Sequence, residues 1–75
     1  MPRLPALTPR KLARALIKVG FLLDHGTGSH DVFYHPRTRR RAVIPGHPKD
    51  LPKGALMAIL REAGMTKKEL ANLLR

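Results

Sequence analysis

A chain of 75 residues and 8.4 kDa has room for one small domain and excludes a large multi-substrate enzyme. A fold of this size buries only about 60% of the surface its unfolded chain exposes, so its connections must be short and its layers few. Fifteen Lys and Arg against five Asp and Glu give a net charge of +10, which calls for an anionic partner: nucleic acid first, then an acidic protein or an anionic membrane surface. The absence of Cys excludes disulfide staples, thiolate zinc sites and thiol nucleophiles together, and it accords with a reducing compartment. The longest apolar run, Ala55 to Leu60, is far shorter than the ~20 residues of a membrane span. The expectation is a cytoplasmic protein without a membrane partner.

Residues 1–7, with two prolines and no periodicity, are read as a flexible lead-in, and residues 8–75 as a single domain. The first helix starts at Thr8, whose hydroxyl can cap it, with Pro9 at the first helical position and Leu7 able to staple onto Leu12. Leu12, Ala15, Leu16 and Val19 form its apolar stripe, Lys11, Arg14 and Lys18 line another face, and Gly20 is its stop.

From Phe21 to Pro45 the helical period disappears and Gly, Pro, aromatic and β-branched residues take over. Three strands are expected, at about Phe21 to His25, His30 to His35 and Arg41 to Ile44. The turn Gly26-Thr27-Gly28-Ser29 offers two glycines for positive φ, and Pro36 to Arg40 is short enough for a second hairpin, so the simplest sheet is an antiparallel meander. Leu56, Ile59, Leu60 and Ala63 repeat the helical stripe and Gly64 ends it. Thr66 and Glu69 then form a capping box for a short final helix, with Met65 and Leu70 as its staple and Leu73 and Leu74 extending its apolar face. The fold class is α+β, in the order α-β-β-β-α with a short C-terminal helix. Two helices cover one face of a three-stranded antiparallel sheet and leave the other face free.

Few side chains can carry chemistry. Asp50, Glu62 and Glu69 have capping or surface explanations, and the carboxylates are too few for a convincing hard-cation site. His30 and His35 differ by an odd number of residues, so on one regular strand they point to opposite faces and do not make a zinc pair. No metal and no cofactor is expected. In Gly28-Ser29-His30-Asp31-Val32-Phe33, a glycine turn delivers His30 to the first position of a strand, where its ring is accessible and suited to proton transfer near neutral pH. The plain alternative is a solvated or capping histidine.

Several blocks in order give the chain its resemblance. They are Gly20-Phe21, Gly28-Ser29-His30 with Phe33 three residues on, Ile44-Pro45-Gly46-His47, and Lys53-Gly54-Ala55-Leu56 running into Ile59-Leu60 and Ala63-Gly64. Over about Thr8 to Leu74 the chain resembles the HicA-type toxins, small mRNA interferases of toxin–antitoxin pairs. The resemblance implies a double-stranded-RNA-binding-domain-like fold, a metal-independent endoribonuclease whose essential His corresponds to His30 with Gly28 and Ser29 as its supporting turn, and an acidic HicB-like antitoxin as partner. Two departures are visible: Ala55 stands where Thr is common, and the basic run Arg37, Arg39, Arg40 and Arg41 replaces a more acidic or Gly-containing turn.

Such a reaction needs a base for the 2′-OH proton, an acid for the leaving 5′ oxygen, and cations for the charge on phosphate. His30 is the candidate for acid–base work. His47, His25 or water can supply the complementary transfer, and His47 also reads as a loop-ordering residue between Pro45 and Pro48. Lys49 and Lys53, near the start of the second helix, are candidate phosphate ligands or a solvated pair. Arg37, Arg39, Arg40 and Arg41 are candidates for gripping RNA backbone, or for guarding a sheet edge. Phe21 and Phe33 are assigned to the core, with Tyr34 open to either face. The rival function is a non-catalytic nucleic-acid-binding module of the same fold.

Overall fold

The computed structural model describes residues 6–46 and 49–74. The order is α1 (Pro9–Lys18), β1 (Leu22–Gly26), β2 (His30–Tyr34), β3 (Arg41–Pro45), α2 (Lys53–Ala63) and α3 (Lys67–Leu73). The strands form one antiparallel sheet in the order β1-β2-β3, so the expected architecture is the observed one. Strand bounds move by a residue at most: Phe21 drops into the core instead of opening β1, and His35 leaves β2 to order the following turn.

β2 is the central strand, and its alternation divides the molecule. Phe33 points into the core between β1 and β3 partners, whereas His30, Val32 and Tyr34 share the opposite face. Ala42 and Ile44 of β3 join Phe33 beneath α2 and α1, and Leu12, Ala15, Leu16, Leu56, Ile59, Leu60 and Ala63 supply the helical side of the core. Ordered packing reaches back to Leu7, which is 1% exposed and whose carbonyl accepts the amide of Leu51 at 2.7 Å. Met1–Pro5 and Arg75 lie outside the described residues.

The helix ends follow their local chemistry. Thr8 caps α1 by accepting the amide of Lys11, with Pro9 at the first helical position. Thr66 and Glu69 make both bonds of the capping box: Glu69 N–H donates to Thr66 Oγ1 at 3.1 Å and Thr66 N–H donates to Glu69 Oε1 at 3.0 Å. Lys18 Nζ donates to the carbonyl of Leu73 at 3.3 Å, placing a cation on the negative end of α3 and tying that helix to α1.

The amide and hydroxyl of Thr66 hold the Glu69 carboxyl below the usual carboxylate range. A lowered folded-state value means that this contribution is fully present above the ordinary Glu value and is lost as pH falls from there through the lowered folded-state value. Replacing Glu69 with Gln therefore flattens part of the acid limb of a stability–pH curve measured by thermal melting. Thr66→Ala, which leaves the Glu69 amide unpaired, lowers stability at neutral pH by about 0.5–2 kcal/mol.

Candidate active site

The β1–β2 turn is built around the backbone of His30. Thr27 N–H donates to the His30 carbonyl at 2.8 Å, the Thr27 hydroxyl donates to the same oxygen at 3.2 Å, and the hydroxyl oxygen accepts the His30 amide at 3.2 Å. One threonine therefore satisfies both backbone groups of the candidate residue. Of the two glycines expected to supply positive φ only Gly28 does so, at 90°, while Gly26 continues β1. Ser29 Oγ lies 3.2 Å from His30 Nδ1, which leaves Nε2 as the outer nitrogen of an exposed ring.

The end of β3 closes against this turn. His30 pairs with Pro45, and Gly46 N–H donates to the Ser29 carbonyl at 2.7 Å. The approach is close enough that a Cβ on Gly46 would sit 3.1 Å from that oxygen. Two separate motif blocks, Gly28-Ser29-His30 and Ile44-Pro45-Gly46, thus meet at one end of the sheet. His47, the candidate second proton carrier, lies outside the described residues. On the helix side of the same end, Asp31, Ile44, Pro45 and Gly46 face Thr8, Pro9, Arg10 and Ala13 across an open cleft.

The face that carries His30 is uncovered. Leu22 is 59% and Val43 37% exposed, and both belong to the cross-strand rows Leu22, Tyr34, Arg41 and His25, Val32, Val43. A β-bulge between Leu23 and His25 puts His25 opposite Val32 on this face, where His25 Nδ1 and Asp24 Oδ2 lie 2.8 Å apart.

The four arginines expected to act together are divided by the structure. Arg40 turns back onto the C-terminal end of α2, donating through Nη1 to the Glu62 carbonyl at 3.4 Å, and its Nε lies against Gly64. Its charge complements that helix end. Arg41 stands over the Tyr34 ring, 5.5 Å from guanidinium carbon to centroid, on the His30 face. Arg37 and Arg39 are exposed in the β2–β3 turn, where Arg39 takes φ of 63°. Lys49 is exposed, and Lys53 is the exposed first residue of α2, in the segment that leaves the His30 end of the sheet.

His35 is a residue whose role sequence reasoning missed. Its ring is 7% exposed, edge-on to Phe21 at 5.1 Å, with Nε2–H donated to the Val19 carbonyl at 2.9 Å. Nδ1 accepts the amides of Arg37 and Thr38 at 3.2 Å each. With both nitrogens committed to backbone it is a structural pin and holds the start of the arginine turn.

The family described as HicA toxin of bacterial toxin–antitoxin matches residues 9–65, from the first residue of α1 through the whole sheet and α2. The chain belongs to the HicA toxin family. No curated protein matches it at a significant level.

The HicA match takes in both motif blocks that meet at His30 and leaves α3 beyond its end. Among the described residues no three His, Asp or Glu side chains gather as metal ligands. No described helix is long and apolar enough to cross a membrane.

His35→Ala leaves the Val19 carbonyl and the Arg37 and Thr38 amides without their partner. The expected cost is at most about 1–3 kcal/mol for such part-buried bonds, read as a lowered Tm with amide exchange accelerated first in residues 36–40.

Proposed function

We propose that this HicA toxin is a metal-independent endoribonuclease that cleaves mRNA with His30 as a general acid–base group. The observation that carries the reading is the seat of His30, an exposed imidazole whose backbone is fixed from both sides by Thr27 and whose Nδ1 is occupied by Ser29. A ring held this way presents Nε2 in one direction, as proton transfer requires. Family membership and a net charge of +10 support RNA as the substrate class, since a surface of this charge attracts phosphodiesters. Cleavage through the 2′-OH asks only for proton carriers and cations, all of which the chain's own side chains offer.

Arg37, Arg39 and Arg41 with Lys49 and Lys53 grip phosphates in this reading, and Arg40 serves the fold. An acidic HicB-like antitoxin covers His30 and the basic surface, and charge complementarity speeds its arrival. The protein acts where mRNA is, in the cytoplasm.

Induced expression of the native protein and of His30→Ala, with growth and mRNA integrity followed, tests the reading directly. Native protein arrests growth and degrades message. His30→Ala retains fold and RNA binding but cuts about 10²–10⁴-fold more slowly, the usual range for loss of a general acid–base group. EDTA leaves the native rate unchanged, and the product ends in a 2′,3′-cyclic phosphate or its hydrolysis product. Tight RNA binding without cleavage by native protein would instead identify a non-catalytic binding module.

The arginine assignment has its own check. RNA affinity falls steeply with salt, and neutralising Arg37 and Arg39 lowers the salt slope with little change in Tm. Neutralising Arg40 lowers Tm instead.

A further inference from the structure

We infer that His25 is the second proton carrier of the site, giving the leaving oxygen its proton, with Asp24 as its positioning residue. This rests on the reading of His30 as an acid–base group of RNA cleavage.

The bulge in β1 is the starting point. In strict alternation from Leu22 and Leu23, whose partners are Tyr34 and Phe33, Asp24 would fall opposite Val32 and His25 would turn towards the helix side. The extra residue between Leu23 and His25 makes His25 the partner of Val32 and brings its ring onto the uncovered face. A bulge that only blunted the sheet edge would be indifferent to which side chain it re-aimed. This one re-aims an imidazole already paired with a carboxylate.

Opposite Val32, His25 has His30 and Tyr34 as its diagonal neighbours on β2. Diagonal positions on one face of an antiparallel pair lie about 7–8 Å apart. A phosphodiester seated between the two rings can meet each of them through a different oxygen, with hydrogen bonds of about 2.8 Å. The Asp24 carboxylate accepts Nδ1–H of His25 at 2.8 Å, so Nε2 is the nitrogen left to face a ligand. An imidazole oriented by a third group is the general arrangement of an activated proton carrier. Among the described residues, the ionisable side chains that share this face with His25 are Asp24 on its own strand, His30 and Tyr34 on β2, and Arg41 on β3, and the helices lie on the other side of the sheet.

The division of labour balances. His30 Nε2 takes the 2′-OH proton as the 2′ oxygen bonds to phosphorus, the bond from phosphorus to the 5′ oxygen breaks with its electron pair going to that oxygen, and His25 Nε2–H supplies the proton it needs. A 2′,3′-cyclic phosphate and a 5′-hydroxyl result, and both rings return to their starting states by exchange with water.

The test compares an RNA oligonucleotide with a second one carrying sulfur in place of the bridging 5′ oxygen, because a thiolate leaves without being protonated. On ordinary RNA, His25→Ala and His25→Gln cut about 10²–10⁴-fold more slowly, with KM and Tm little changed, and the sulfur-bridged substrate recovers most of the loss. Asp24→Ala shows a smaller loss of kcat with the same recovery. His30→Ala stays slow on both substrates. A His25→Ala protein that cuts ordinary RNA at the native rate, or whose defect the sulfur substrate does not repair, overturns the inference while leaving His30 in place. Full activity in His30→Ala sinks the underlying reading of His30 as the acid–base group instead, so the two failures are distinguishable.

Discussion

The alternation of the central strand is the constraint on which the rest of the molecule depends. β2 is hydrogen-bonded on both edges, so its register is fixed from two sides and no side chain can change face without slipping both ladders. Phe33 is locked into the core by this alternation, and the same locking holds His30, Val32 and Tyr34 outward. Core formation therefore also fixes the candidate site: the hydrophobic stabilisation gained by burying Phe33 against the α1 and α2 side maintains the direction of His30. The helices need not touch the site to position it.

Charge is used in two ways. Lys18 and Arg40 are spent on the C-terminal ends of α3 and α2, where carbonyls lack intrahelical partners and the helix dipole favours a cation. Arg37, Arg39, Arg41, Lys49 and Lys53 carry exposed charge that no described carboxylate neutralises, since the ion pair among the described residues joins only Asp24 and His25. A +10 chain that kept all its cations for solvent would strain its own compact state by self-repulsion. Folding two of them onto helix ends relieves part of that repulsion, while others stay exposed on the helices, as Arg10, Lys11 and Arg14 do on α1, and around the sheet and its exits.

Fold and site were legible in the sequence to different degrees. The two helical stripes, the Thr66 and Glu69 box and the glycine turn each satisfy a local rule, and each was visible because the rule operates within a few residues. The accessible position of His30 followed from the same turn. What could not be read is the consequence of non-local pairing. The bulge at Asp24 depends on how β1 meets β2, and no residue in Leu22-Leu23-Asp24-His25-Gly26 announces it, so period-two reasoning sends His25 to the wrong side. Arg40 looked like one of four equivalent cations because its target, the Glu62 carbonyl, is 22 residues away. His35 failed for the same reason: its Val19 partner lies 16 residues upstream, and an isolated histidine at a strand end carries no sign of that bond.

The size of the chain bears on why the proposed chemistry is placed on a sheet and not in a pocket. A chain of 75 residues built on a single shared core has little interior from which to carve an enclosed nucleotide pocket. A flat, hydrogen-bonded surface provides the alternative, because two imidazoles on neighbouring strands are held at a spacing set by backbone geometry instead of by packing around a cavity. Such a site excludes water poorly by itself. In the proposed reading the exposed apolar groups of the same face, Leu22 and Val43, offer a ribose or base a surface that removes water from one side of the phosphate and strengthens charge-assisted contacts there. On that reading the substrate itself supplies the missing wall of the site.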